Sequence, residues 1–312
     1  MGPLLQVEHL SISFTQYDRG TRQRSLPVIR DLSFAIRPGQ VVAVVGSSGS
    51  GKSLLAHGIL GILPYNSHVK GSIRYQGAPL TQQRAEALRG REIALVPQGV
   101  TYLDPLMEVG PQIRKGRRDS AARAQSRAVL KRYGLGEETE SRYPFELSGG
   151  MTRRVLIATA VAETPELIIA DEPTPGLDAR AAGRILGHFR ELAEEGAGVL
   201  LITHDLELAL TIAHRVLVLY AGETVEEADA ADFPAGRLRH PYTSALWNAL
   251  PANGFTPIPG TQPYPGEISD GCQFAPRCAR CRETCRTGGP VPYVSCRGGM
   301  VRCRFPKGGE SL

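Results

Sequence analysis

The chain has 312 residues, 42% of them hydrophobic and 21% charged, with a formal net charge of +5. This composition suits a folded protein with a substantial core and excludes disordered, collagenous and disulfide-dense secreted chains. No apolar run reaches the roughly 18 residues of a membrane-spanning helix, and the stretch from Met1 to Gln6 carries neither a signal-peptide pattern nor a myristoylation signal.

Residues 4–14 alternate apolar and polar side chains, which predicts a strand. Residues 15–25 are polar and read as a loop, residues 28–36 as a second strand, and Pro38-Gly39 as a turn. Val41-Val42-Ala43-Val44-Val45 is a short apolar run of the buried-strand kind. It enters Gly46-Ser47-Ser48-Gly49-Ser50-Gly51-Lys52-Ser53, which fits the phosphate-loop pattern G-x-x-x-x-G-K-[ST] without mismatch. Leu54, Leu55, Ala56, Ile59 and Leu60 follow at helical spacing. Glycines let successive backbone amides turn toward one anion, and the helix N-terminus adds its positive dipole end. Lys52 is expected to reach the β- and γ-phosphates, and the Ser53 hydroxyl to ligate Mg²⁺.

Farther along, residues 71–77 predict a hairpin edge, and residues 93–98 a strand that ends on Gln98. Residues 105–145 are rich in Arg and Ala and predict a small helical subdomain. Their basic run from Arg114 to Arg132 suits a solvated face, lipid headgroups, an acidic partner or nucleic acid. Leu147-Ser148-Gly149-Gly150-Met151 precedes a helix over residues 155–162. Residues 167–170 form a buried strand that ends in Asp171-Glu172. A helix over residues 179–195 and a strand over residues 199–203 lead to His204, and residues 216–220 form a last strand before a turn. Strands alternating with helices predict a parallel-sheet α/β core.

Asp171 and Glu172 stand at the C-terminal end of an apolar strand, where α/β sheets bind ligands. Asp171 is expected to hold Mg²⁺ and Glu172 to act as the general base for an attacking water. Ser148, Gly149 and Gly150 at a helix start form a second anion nest, about 100 residues after the first.

Residues 4–232 together resemble the ATP-binding cassette (ABC) ATPases. By that resemblance residues 46–53 are the Walker A motif, Gln98 the Q-loop residue and an Mg²⁺ contact, and residues 147–151 the signature. Residues 168–171 with Glu172 are the Walker B motif, and His204 is the switch histidine. Thr174-Pro175-Gly176-Leu177-Asp178 is the D-loop, with Asp178 at the nucleotide, and Phe14 is the aromatic for adenine, with Tyr17 as second choice. The resemblance implies a RecA-like P-loop core with an antiparallel β subdomain and a helical subdomain at about 99–150. It also implies ATP and Mg²⁺ as ligands, and two cassettes sandwiching ATP head to tail. Thr152-Arg153 after the signature and Pro175-Gly176 in the D-loop depart from the family pattern, so asymmetry is expected at the site that this signature completes.

A Pro-, Gly-, Arg- and Cys-rich extension over residues 233–312 is expected. His240-Pro241-Tyr242-Thr243-Ser244-Ala245-Leu246, Ile258-Pro259-Gly260 and the stretch from Gly271 to Cys278 resemble the C-terminal region of oligopeptide, dipeptide and nickel importer ATPases. Leu60-Gly61-Ile62-Leu63-Pro64 leans toward the nickel and metal-chelate members. All six cysteines fall between residues 272 and 303, a clustering that points to a local metal or cluster. Four thiolates suit Zn²⁺ or a [4Fe–4S] cluster, with zinc the commoner structural metal. The family resemblance implies the cluster, on Cys272, Cys278, Cys285 and Cys303.

The implied protein is an ATPase subunit of an importer for peptides, nickel or metal chelates. Its implied partners are a second, different ATPase subunit, two transmembrane permease subunits and an extracytoplasmic solute-binding protein, with no nucleic acid. Its place would be the cytoplasmic face of the plasma (inner) membrane. The alternative is a soluble ABC ATPase acting on nucleic acid or ribosomes.

Overall fold

The computed structural model describes residues 2–17, 20–47, 49–264, 267 and 270–308. β1 (Leu5–Tyr17) and β2 (Gln23–Ile36) form an antiparallel hairpin. Thr15 pairs with Ser25 and Tyr17 with Gln23, so both strands run into the polar stretch expected as a loop. Those polar residues are largely exposed and bury no apolar stripe, so the periodicity is silent there. β3 (Val41–Gly46) feeds α1 (Lys52–Leu60). β4 (Ser67–Tyr75) pairs with β1, and the short β5 (Ala78–Pro79) pairs with β4 at the sheet edge. α2 (Gln82–Leu88) leads to β6 (Ile93–Val96).

α3 (Val109–Ile113), α4 (Ser120–Arg132) and α5 (Gly149–Val161) make the helical lobe. α5 starts at the signature glycines, six residues before the expected start at Val155, because the Ser148 hydroxyl accepts from the Met151 N–H and caps the helix. β7 (Leu167–Asp171), α6 (Ala179–Glu194), β8 (Gly198–Thr203), α7 (Leu206–Leu210), β9 (Arg215–Tyr220) and β10 (Glu223–Asp229) follow. α8 (Pro241–Asn248), α9 (Glu283–Thr287), β11 (Val294–Cys296) and β12 (Gly299–Val301) complete the chain.

Two sheets result, a four-stranded one ordered β2-β1-β4-β5 and an eight-stranded one ordered β11-β12-β10-β9-β3-β8-β7-β6. The run from β9 to β6 is parallel. β3 shows why its sequence is apolar throughout: both its faces are covered. Val41, Ala43 and Val45 enter a core shared with α5 and α6, while Val42 and Val44 enter a second core with α1 and the antiparallel sheet. The period-2 alternation of a strand divides one run between two cores.

The C-terminal segment shares this architecture. β12 pairs with β10 and extends the main sheet. Phe233, Leu238, Tyr242 and Phe274 belong to the same core as β3. Arg239, 2% exposed, donates to Glu226 at 3.3 Å and to Asp232 at 2.9 Å, and also to the carbonyls of Cys296 and Arg297. Arg302 donates to the carbonyls of Thr224 and Val291 and to Asp31 of the antiparallel sheet.

Arg239→Ala would leave the buried Glu226 carboxylate without its cation, while Asp232 keeps Arg237 at 2.9 Å, at an expected cost of about 3–5 kcal/mol. The loss should appear as a lower midpoint for a single thermal transition of the whole chain. Melting of the C-terminal segment alone, with the rest unaffected, would contradict the shared core.

Candidate functional site

Gly46, the last residue of β3, has no room for a side chain, because a Cβ there would meet the Leu219 carbonyl of β9. The phosphate loop therefore leaves the sheet packed against its neighbour strand. Gly51 takes φ +90° just before α1, a left-handed conformation that favours glycine. The Lys52 ammonium donates to the carbonyls of Gly46 at 2.8 Å and Ser47 at 3.0 Å. Burial lowers its pKa, while Glu172 and Asp171 act in the opposite sense. Ser50 Oγ is buried with no hydrogen-bond partner among the described residues. Ser48 lies outside the described residues.

The Ser53 hydroxyl donates to Asp171 Oδ1 at 3.2 Å, although 118 residues separate them. The helix start after β3 and the end of β7 thus bring the two expected Mg²⁺ contacts together. Burial raises the Asp171 pKa, the Ser53 hydrogen bond opposes it and the Glu172 charge adds to it. A cation here would relieve both the burial and the like charge. Glu172 follows β7 at φ +47°, in the left-handed region, and is 8% exposed. Its Oε2 meets His204 Nδ1 at 2.6 Å, across the ends of β7 and β8.

Gly49, Gly51, Lys52, Ser53, Gln98 and Glu172 line one cleft of about 350 Å³, together with Val28 and Leu54. Phe14 is absent from that lining and packs against the core of α1 and the antiparallel sheet. Tyr17 is exposed on the hairpin extension. Ser148 and Gly149 lie at the start of α5, and Gly150 lines a separate cleft with Gly176, Leu177 and Asp178. The Asp178 carboxylate accepts from the Ala181 N–H at 2.8 Å and caps α6. The two anion nests thus line different clefts.

Arg153 escaped the sequence reading as a site residue. It is 6% exposed, and its guanidinium donates to the Pro97 carbonyl at 3.1 Å, next to Gln98. The signal was present: an Arg one turn into a helix, at a position where the family pattern departs. The basic run of the helical lobe is largely neutralised by its neighbours. Arg114 pairs with Glu140, Lys115 with Glu163, Arg127 with Glu137 and Glu140, and Arg132 with Glu191 and Glu195.

All six cysteines are free. Cys272, Cys278, Cys285 and Cys303 line one small pocket with Phe274 and Phe305, whereas Cys281 and Cys296 do not. Burial pushes the thiol of Cys272 up to about 12 and that of Cys303 up to about 11. Among the described residues no three His, Cys, Asp or Glu side chains are placed to hold one metal ion, so neither the expected cluster nor zinc has a ready-made ligand set.

The fold and the strand-end residues define a P-loop nucleotide-binding cassette. The ABC transporter family model matches residues 29–175, and the model of the oligopeptide/dipeptide transporter C-terminal region matches residues 225–285. The chain is 35% identical to the dipeptide transport ATP-binding protein DppD of Escherichia coli, covering 97% of each. It is 39% identical to the oligopeptide transport ATP-binding protein OppD of Mycobacterium tuberculosis, covering 93% of this chain and 50% of that one, so it spans half of that relative's length. The dimeric structure of MJ0796, a bacterial ABC transporter cassette, superposes with TM-score 0.63 at 26% identity, over 72% of this chain and 98% of that one. The chain belongs to the ABC transporter family, with the C-terminal region of its oligopeptide/dipeptide members.

Gly46→Ala would drive its Cβ into the β9 backbone. Overpacking of this kind costs about 1–3 kcal/mol. A lowered thermal midpoint together with weakened ATP binding by calorimetry is expected, and unchanged values of both would refute the packing argument.

Proposed function

We propose that this chain is the ATP-binding and ATP-hydrolysing subunit of a peptide importer. The observation that carries the reading is the paired contact at adjoining strand ends: Ser53 with Asp171, and Glu172 with His204. Backbone amides of residues 46–53 and Lys52 receive the phosphates. Ser53 and Asp171, with Gln98 lining the same cleft, would hold Mg²⁺, which supplies positive charge beside the β- and γ-phosphates. Glu172 takes the proton from the attacking water, and the hydrogen bond from His204 fixes its carboxylate orientation. Ser148, Gly149 and Gly150, at a separate cleft, serve the nucleotide of a partner cassette. The family membership of both segments supports peptide import. Nickel has no support among these relatives, whose names specify oligopeptide and dipeptide transport. Nor has the nucleic-acid alternative, since the C-terminal region is of the transporter type.

No helix among the described residues is long and apolar enough to cross a membrane. Association with the inner membrane would run through two permease subunits, whose cytoplasmic helices would seat beside Gln98. Val100, Tyr102, Leu106 and Met107 are exposed there and supply an apolar rim. The second ATPase is a different subunit, and a solute-binding protein delivers the peptide.

The pocket of Cys272, Cys278, Cys285 and Cys303 would take a [4Fe–4S] cluster with a structural role. Four thiols around one pocket are the right donors, and a cluster spreads its ligands more widely than a single zinc ion does. Purified without oxygen, the chain should be brown and contain iron and sulfide. A colourless protein with stoichiometric zinc would overturn this assignment.

Glu172→Gln should leave ATP binding intact and abolish hydrolysis in the assembled transporter, and unchanged turnover would remove Glu172 as the base.

A further inference from the structure

Ser47 is the first residue of the phosphate loop after β3. Its hydroxyl donates to Gln262 Oε1, from a segment 215 residues farther along. Tyr242 of α8 also reaches Ser47 with its phenol. Neither contact belongs to the phosphate-loop motif, and both come from the C-terminal segment.

That segment is held firmly where it meets the loop. Tyr242, 2% exposed, packs its ring 4.6 Å from that of Tyr220 and 5.3 Å from that of Phe274. Arg277 donates to the carbonyls of Pro259 at 2.6 Å and Ile258 at 3.3 Å, and to the Tyr220 hydroxyl at 3.2 Å. The stretch leading to Gln262 is thereby tied to β9, whose Leu219 carbonyl also abuts Gly46. Ser47 is gripped from one side while its own carbonyl receives the Lys52 ammonium at 3.0 Å from the other.

We propose that Gln262 and Tyr242 are positioning residues for the phosphate loop: by fixing Ser47 they orient the backbone carbonyl that holds Lys52, and so set nucleotide affinity. The inference rests on the nucleotide reading of residues 46–53. A loop fixed before the ligand arrives spends less binding energy on ordering itself. The hydrolytic pair, Glu172 and His204, sits on other strand ends and does not touch either residue. The contribution therefore belongs to nucleotide binding and not to the chemical step.

The test is ATP affinity of the full chain by calorimetry, with ATPase kinetics in the assembled transporter. Gln262→Ala removes one hydrogen bond from a half-buried loop position and should weaken ATP binding about fivefold. KM should rise by a similar factor while kcat at saturating ATP holds. Tyr242→Phe keeps the ring packing and should weaken binding in the same direction. Combined with Ser47→Ala, Gln262→Ala should add nothing to the loss from Ser47→Ala alone, because both remove the same bond. Wild-type affinity in Gln262→Ala and Tyr242→Phe, or full additivity with Ser47→Ala, would overturn the proposal. A wild-type chain that binds no ATP would overturn the nucleotide reading and this inference together.

Discussion

A parallel strand buried on both faces cannot carry polar side chains along its length, and the rest of this structure follows from that constraint. β3, β7 and β8 are buried throughout, so their chemistry is confined to where they leave the core. The phosphate loop, Asp171 with Glu172, and His204 all sit at the same edge because these strands are parallel neighbours. The same confinement keeps Lys52, Asp171 and Glu172 largely shielded from water, at 7%, 5% and 8% exposure. Charges so placed interact more strongly with one another, and with phosphate, than surface charges do.

The helical lobe connects this edge to the other anion nest. α5 begins at Ser148 and the signature glycines, and its buried Arg153 reaches the carbonyl of Pro97 beside Gln98. One helix thus touches the Gln98 turn and carries the second anion nest at its start. The C-terminal segment is built in comparably, through β12, the buried Arg239 and the Tyr242 ring cluster.

The strand ends that carry Lys52, Asp171 and Glu172 were legible because their motifs encode them directly: an apolar run followed by a loop or a carboxylate. Phe14 alternates with Leu10 and Ile12 on the core-facing side of β1 and packs, partly buried, against that core. The hairpin over residues 15–25 was invisible because polar strands exposed to solvent carry no hydrophobic period. The partners of Arg153 and Gln262 were beyond reach for another reason. Each contacts residues far away in sequence, and one chain without its fold gives no sign of that pairing. Within the basic run from Arg114 to Arg132, Lys115 and Arg132 pair with glutamates from other elements, which composition does not reveal.

The most direct test of the account is the magnesium dependence of ATP binding by the isolated chain, in wild type and in Asp171→Asn. The account predicts that wild type binds ATP and binds it more tightly with Mg²⁺. It predicts that Asp171→Asn loses the magnesium-dependent increment and keeps the magnesium-independent binding. An increment that survives in Asp171→Asn, or a wild type indifferent to magnesium, would contradict the meeting of Ser53 and Asp171 as the metal site.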